Sequence, residues 1–191
     1  MKQAAFLIIA GILVSTYPAA ANPPSSVEIA GVPFATMYPT PNGKLTFRGG
    51  ALLRYMVFIK AYAGALYLPD EADYRQALGV VPRRLELSYF HAISAADFAK
   101  ATRNKMADNV TPEALATLDE RLQRFNALYR DVQPGDRYAL TYLPGQGTEL
   151  ALNGQSLGRI EGDDFAAALF AIWLGPEPID KSFKTRLLGE T

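Results

Sequence analysis

The chain has 191 residues, of which 49% are hydrophobic and 20% are charged, so it is long enough for one domain with a sizeable core. Lys and Arg balance Asp and Glu at 19 each, and no basic excess points to a nucleic-acid partner. The sequence contains no cysteine, which excludes disulfides, thiol nucleophiles and thiolate metal sites.

The N-terminus has the pattern of an export signal. Lys2 precedes an apolar run over residues 4–14, too short to span a bilayer comfortably, and the alanines at 19–21 supply a small-residue cleavage site. We predict that residues 1–21 are a signal peptide cleaved after Ala21, and that residues 22–191 form a single periplasmic domain. The alternative is an uncleaved anchor.

The first half of the chain is predicted to consist mainly of strands. Two short strands are expected in residues 27–37, followed by turn-forming residues at 38–44. Residues 45–68 are predicted as one long strand region, bent or broken at Gly49-Gly50, because a glycine pair marks a bulge or turn. A short helical segment and a strand over 83–91 complete this half.

The second half is predicted to hold four helices and three strands. Ser94 and Thr111 resemble N-caps, and Asn153-Gly154 is a strong hairpin signal. The predicted elements are a helix over 94–108, a helix from 111, strands over 137–143, 148–152 and 155–160, an apolar helix over 165–174 and a last helix over 180–188. This order predicts an α+β domain with the helices on one side of an antiparallel sheet.

Common catalytic motifs are absent from the sequence. It has no G-x-S-x-G elbow and no complete glycine fingerprint for phosphates. His91 is the only histidine, and it is interpreted either as a general base or as an edge residue without a partner. We therefore predict neither a metal site nor a cofactor.

Three blocks of sequence carry a family resemblance. They are GGALLRYMVFIKAYAGALYL at 49–68, RRLELSYFHAISAADFAKA at 83–101, and residues 135–180 with LPG, an NG turn and FAIWLG. In order and spacing they resemble the exported bacterial branch of the chalcone isomerase-like proteins. The resemblance implies an open-faced β-sandwich: a large antiparallel sheet covered by a helical layer, a small sheet beside the helices, and a ligand cleft between the large sheet and the helices.

That family contains both enzymes and binding proteins. The plant isomerases add a phenolate across an enone, and an arginine stabilises the charge that develops on oxygen. The fatty-acid-binding members hold a carboxylate with an arginine and a tyrosine at the inner end of an apolar cavity. Arg54 and Tyr62 match those two positions, whereas Phe98 and Lys105 stand where the plant enzymes have a tyrosine and an asparagine.

Residues 54–62, if they form one regular strand, direct Arg54, Phe58 and Tyr62 to the same face. A guanidinium and a phenol separated by apolar side chains suit an amphiphilic anion. The candidate ligand-binding residues are Arg54, Tyr62, Phe58, Phe98 and Lys105, of which Arg54 and Tyr62 would be catalytic in an enzyme. The alternative is that Arg54 pairs with an internal carboxylate, with Glu86, Asp163 or Asp164 as possible partners, or reaches solvent.

Other aromatic residues are assigned to the core or the cavity wall. Trp173 is expected in the core, with its N–H on a backbone carbonyl. Tyr89, Tyr138 and Tyr142 either pack on the sheet or line the cavity, and the composition of strands favours packing.

Three functions remain open at this point. Phe98 cannot donate a hydrogen bond and the periplasm offers no obvious chalcone, so the sequence favours binding of a fatty acid or similar apolar carboxylate. The second hypothesis is an isomerase (an intramolecular lyase) acting on an enone or chalcone-like substrate. The third is an envelope interaction module without a ligand. No nucleic-acid partner is predicted, nor a membrane span after cleavage of the signal.

Overall fold

The computed structural model describes residues 25–41, 43–56 and 58–190. The predicted signal peptide lies outside these residues. Within the described part of the chain, no helix is long and apolar enough to cross a membrane.

Nine strands form two sheets in the described residues. They are β1 (Ser26–Ile29), β2 (Val32–Ala35), β3 (Met37–Thr40), β4 (Gly43–Tyr55), β5 (Ile59–Leu68), β6 (Arg83–Tyr89), β7 (Arg137–Leu143), β8 (Gly147–Leu152) and β9 (Gln155–Ile160). β1 and β2 pair with each other, and β3 to β9 form a seven-stranded antiparallel meander in chain order. The sequence predicts a turn over 38–44, whereas residues 37–40 form the edge strand β3, a position where Pro39 is tolerated.

Four helices pack on one face of the large sheet. They are α1 (Ala95–Ala107), α2 (Pro112–Asn126), α3 (Asp163–Leu174) and α4 (Lys181–Leu187), and a short 3₁₀ turn occupies Tyr74–Gln76. The predicted caps are confirmed, since Ser94 Oγ accepts from the Asp97 N–H at 3.1 Å and Thr111 Oγ1 from the Ala114 N–H at 3.3 Å. Each cap satisfies an N–H that the helix leaves without a partner. The α+β sheet-and-helix fold predicted from the sequence is what the chain adopts.

The two faces of the sheet bury different side chains. Alternation along β5 places Tyr62 and Leu66 on the helical face, within the main core. The intervening Ala63, Ala65 and Tyr67 belong to a second core on the opposite face. α3, apolar nearly all round, is buried against the helical face, as its composition predicts.

The β1–β2 hairpin covers part of the opposite face. Phe34 is fully buried there against the small side chains of Ala63 and Ala65, and Ile29 packs beside it. The family resemblance implied a small sheet beside the helices. The hairpin instead lies across the large sheet from them, because the alanines on this face of β5 leave room for it.

The region predicted as one strand over 45–68 is a hairpin. β4 ends at Tyr55 and β5 begins at Ile59, and the Phe58 N–H donates to the Met56 carbonyl at 2.7 Å. Met56 adopts a positive φ of 46°, which non-glycine residues rarely do. The pairing of β4 with β5 is irregular beside Gly49, so the predicted bulge is confirmed, but the chain reverses elsewhere.

A buried ion network lies on the face opposite the helices. Glu86 Oε1 accepts from Arg84 at 2.8 Å, and Glu86 Oε2 accepts from Arg137 at 3.0 Å. Arg84 also donates to Thr141 Oγ1 at 2.6 Å. The Glu86 carboxylate therefore binds two guanidinium groups. Glu86 was a proposed partner for Arg54, but it pairs with Arg84 and Arg137 instead.

The arginine in the core of the sheet is Arg83. It is fully buried on the helical face and donates to the Gly79 carbonyl at 2.7 Å. Its guanidinium carbon lies 4.3 Å from the ring centre of Tyr142 and 4.7 Å from that of Phe170. Burial lowers the pKa of Arg83 to about 10, so it remains a cation at neutral pH, stabilised by the two aromatic faces.

We expect Glu86→Gln to lower the free energy of unfolding by about 3 kcal/mol, because it leaves two guanidinium groups on a largely buried face without their carboxylate. Urea denaturation measures the loss. The control is Glu149→Gln, which removes the more exposed pair with Arg159 at 3.2 Å and should cost about 0–1 kcal/mol. Equal losses in the two variants would contradict the assignment.

Candidate functional site

A cavity of about 230 Å³ lies between the helical face of the sheet and helices α1 and α3. The sheet contributes Tyr62, Leu87, Tyr89, Tyr138, Leu140 and Leu150, and the helices contribute Phe98, Thr102, Ile172 and Trp173. The wall is almost wholly apolar. Such a surface favours an apolar ligand, because burying it removes hydrocarbon from water on both sides.

Packed aromatic rings shape one end of the cavity. The ring of Phe98 lies 5.2 Å from that of Tyr89, 5.3 Å from that of Tyr138, and stacks on that of Tyr129 at 5.2 Å. Tyr62 meets Tyr89 edge-to-face at 5.6 Å. Edge-to-face and offset contacts of this kind fix ring orientation, so this part of the cavity is preformed.

Two hydroxyl groups remain free to bind a ligand. Tyr62 Oη accepts from the Trp173 indole N–H at 3.0 Å, and its own proton has no acceptor among the described residues. The hydroxyl of Tyr89, the direct cross-strand neighbour of Tyr62, forms no hydrogen bond with the described residues. The hydroxyl of Tyr129 is already bound, to Thr102 at 2.8 Å.

These phenols are neutral donors. Burial, the largest cause, raises the pKa of Tyr62, Tyr89 and Tyr129 above the usual value for tyrosine. A phenol with a raised pKa keeps its proton at physiological pH. Tyr62 and Tyr89 can therefore donate hydrogen bonds to a carbonyl or ether oxygen, but they cannot act as phenolate bases.

One lysine lies at the mouth of the cavity. Asp97, Ala101 and Lys105 are four residues apart along α1, so they share the helix face that borders the opening. Lys105 Nζ, half-buried, bonds Asp108 Oδ2 at 2.8 Å. Lys105 is the only cationic residue that lines this cavity in the described part of the chain.

The structure brings together three of the five site residues predicted from sequence. Tyr62, Phe98 and Lys105 all line the cavity. Arg54 and Phe58 do not line it: Arg54 is exposed near the end of β4, and Phe58 is 87% exposed at the turn.

The expectation that Arg54 and Tyr62 share one face of one strand is wrong. The turn at Met56 places them on different strands, where Tyr62 pairs with Leu53 on the helical face. Arg54, one residue beyond Leu53, pairs with Lys60 and lines a groove near the β1–β2 hairpin. Successive residues of a strand point to opposite faces, so this register turns Arg54 away from the cavity.

None of the carboxylates proposed as internal partners meets Arg54. Asp163 accepts from the Tyr142 hydroxyl at 2.6 Å, and Asp164 binds Arg121 at 2.6 Å. Glu86 is held by the two arginines described above. Arg54 forms no ion pair with any described residue.

Sequence reasoning missed part of the cavity wall. Tyr129, Thr102 and Ile172 were not identified, because they come from the segment after α2, from α1 and from α3, and only the tertiary structure brings them to one place. Packing on the sheet and lining the cavity were given as alternatives for Tyr89 and Tyr138. Each of these residues does both. The Trp173 N–H donates to the Tyr62 hydroxyl and not to a backbone carbonyl.

The chain belongs to the chalcone isomerase-like family, whose model matches residues 26–189. The structure is similar to the crystal structure of a fatty-acid-binding protein from Arabidopsis thaliana, with a TM-score of 0.68 over 86% of this chain and 96% of that one. Sequence identity in that comparison is 16%, which shows a shared fold. No curated protein sequence matches the chain.

We expect the buried phenols to make the folded protein less stable in alkali. Because their pKa is raised in the folded state, stability is constant below about pH 10, where unfolded tyrosine begins to ionise, and falls as pH rises further. Tyr89→Phe should reduce that dependence by about 1.4 kcal/mol per pH unit. Urea unfolding at several alkaline pH values measures it, and Leu87→Met should leave the slope as in the wild type.

Ala101→Trp should close the cavity without unfolding the protein, because Ala101 is exposed on α1 and borders the opening. We expect saturating decanol to raise the Tm of the wild type and to leave the Tm of this variant unchanged. The matched control is Ala107→Trp, an exposed position on the same helix that does not border the cavity. The assignment of the opening fails if decanol stabilises both variants equally.

Proposed function

We propose that this protein binds a small apolar carboxylate, such as a medium-chain fatty acid, in the cavity between sheet and helices. The observation that carries the proposal is the apolar wall of that cavity, combined with one lysine at its mouth and two free hydroxyls inside. Transfer of a methylene chain from water into such a cavity is favourable by about 0.8 kcal/mol for each group removed from water.

We place the carboxylate of the ligand at the mouth of the cavity, near Lys105. An ionised carboxylate carried to the inner end would lose its water and meet only the neutral hydroxyls of Tyr62 and Tyr89, which is unfavourable for a full charge. At the half-buried mouth the head group keeps part of its hydration and reaches the Lys105 ammonium, which it shares with Asp108, while Asp97 on the same helix face partly opposes the attraction. This orientation differs from the arrangement with Arg54 and Tyr62 that the family resemblance implied.

The volume of the cavity limits the size of the ligand. A cavity of about 230 Å³ is smaller than the roughly 300–1,000 Å³ of sites for drug-sized ligands. A short or medium chain suits it better than a long acyl chain or a multi-ring compound. The likeness to a plant fatty-acid-binding protein supports the ligand class through the shared fold.

An isomerase is the second candidate. The free donors of Tyr62 and Tyr89 lie on adjacent strands and can together bind the carbonyl oxygen of an enone, where charge develops in a ring closure. Turnover of a chalcone, reduced strongly in Tyr62→Phe, would favour this function over simple binding. The interaction-module hypothesis is disfavoured by the presence of an open apolar cavity.

We also propose that the mature protein acts in the periplasm, on the strength of the signal pattern in residues 1–21. Expression of the full chain, followed by osmotic shock and mass measurement, tests export and cleavage after Ala21. Retention of the intact chain in the cytoplasm would reject this location.

Binding is tested by calorimetric titration with decanoate and decanol, which share a chain and differ in the charge of the head group. Lys105→Gln should weaken decanoate binding about fivefold, the effect of losing one partly exposed charge pair of about 1 kcal/mol, and leave decanol binding unchanged. Arg54→Gln is the matched control and should bind both compounds as the wild type does.

Two results would contradict this proposal. Absence of binding for both compounds would remove the cavity as a lipid site. A larger loss of decanoate affinity in Arg54→Gln than in Lys105→Gln would return the anchoring role to Arg54.

A further inference from the structure

The turn between β4 and β5 exposes a cluster of apolar side chains. Its exposed members are Phe58 (87%), Met56 (70%), Tyr55 (63%) and Ile59 (43%). Exposed apolar residues are common singly, but a contiguous group at the end of one hairpin indicates a contact surface. We call Tyr55, Met56, Phe58 and Ile59 the apolar tip.

The apolar tip extends beyond the rest of the sheet. β3 pairs only with the first residues of β4, up to Thr46, and β6 pairs with β5 only from Tyr62 onward. In the described part of the chain, the strand segments from Arg54 to Tyr55 and from Ile59 to Lys60 pair only with each other. Two residues of strand correspond to about 7 Å, so the tip is a narrow protrusion and not a flat face.

Cations without a carboxylate partner among the described residues lie at the base of the tip. Arg54 and Lys60 are paired across the hairpin, and Arg186 of α4 lines the same groove near the β1–β2 hairpin. None of the three forms an ion pair among the described residues, and Glu28 is the only acid that lines the groove. The groove therefore has an excess of positive charge directly behind the apolar residues.

We propose that this hairpin docks the protein on a lipid bilayer that carries anionic head groups, with the apolar tip inserted and Arg54, Lys60 and Arg186 at the level of the phosphates. Interfacial segments insert apolar side chains by roughly 5–10 Å, which is the length of the tip. Basic residues beside an anionic surface each add attraction, and a tyrosine such as Tyr55 suits the boundary between hydrocarbon and water.

The backbone of the turn agrees with a functional tip. Met56 occupies the left-handed region, φ 46°, where glycine or asparagine would be less strained. An apolar side chain at such a position has a cost for folding and, being 70% exposed, gains no burial in the protein itself. Contact with a bilayer supplies that burial.

Docking places the cavity near the membrane. Tyr62, on the cavity wall, is only three residues from Ile59 at the tip. The docking surface is nevertheless independent of the cavity, since it shares no residue with the cavity lining. Failure of decanoate binding would leave the docking proposal intact, and the reverse also holds.

The test is co-sedimentation of the full chain with vesicles of phosphatidylcholine that contain phosphatidylglycerol, compared with phosphatidylcholine alone. We expect binding to the anionic vesicles that weakens as salt is added. Phe58→Asp should lower the partition coefficient at least about tenfold. The double variant Arg54→Gln, Lys60→Gln should lower it about tenfold on anionic vesicles only.

Controls separate docking from general effects. Val80→Asp, at another exposed apolar residue (63%), and Arg75→Gln, at another exposed cation, should bind as the wild type does. Met56→Gly should keep or raise the Tm, because glycine accepts the positive φ, and still weaken vesicle binding.

The docking proposal is overturned if the wild type does not bind anionic vesicles, or if Phe58→Asp binds them as strongly as the wild type. It is also overturned if sedimentation shows a wild-type dimer that Phe58→Asp dissociates, without binding to vesicles. In that case the tip joins two copies of the chain.

Discussion

The antiparallel pairing of β4 with β5 is the contact on which both the cavity and the exposed tip depend. Its register places Leu53 opposite Tyr62 and Arg54 opposite Lys60, with one extra residue between them. Because side chains alternate along a strand, this register sends Tyr62 toward the helices and Arg54 toward the opposite face. A shift of one residue would exchange the two faces.

The two faces of the sheet carry different kinds of side chain. The helical face is covered by aromatic and aliphatic side chains around the cavity, and the charged residues that line this cavity in the described part of the chain, Asp97 and Lys105, lie at its mouth. The opposite face carries the network of Glu86 with Arg84 and Arg137, which is satisfied within the protein. This network therefore satisfies its charges within the fold on one side, while on the other side the cavity is apolar enough to take a ligand, because the buried Arg83 lies outside its lining.

Much of the candidate site could be predicted from the sequence, but its anchor could not. Phe98 and Lys105 were identified through the family resemblance, and both line the cavity. Arg54 was assigned there through the same resemblance and on the expectation that residues 54–62 form one regular strand. The turn at Met56 has no glycine, proline or asparagine among its described residues, so local composition gave no signal. The length of the predicted strand region, residues 45–68, did give a signal, because 24 residues exceed the length of an ordinary strand.

The sequence by itself determined the order of elements, the capped starts of α1 and α2, the burial of α3 and the family, because these follow from periodicity, local hydrogen bonds and characteristic blocks. Only the tertiary structure decided which polar groups meet. The Trp173 N–H reaches the Tyr62 hydroxyl across 111 positions of sequence, and no local pattern specifies such a contact. Likewise, the position of Arg54 outside the cavity follows from strand register, which long-range pairing fixes and composition does not.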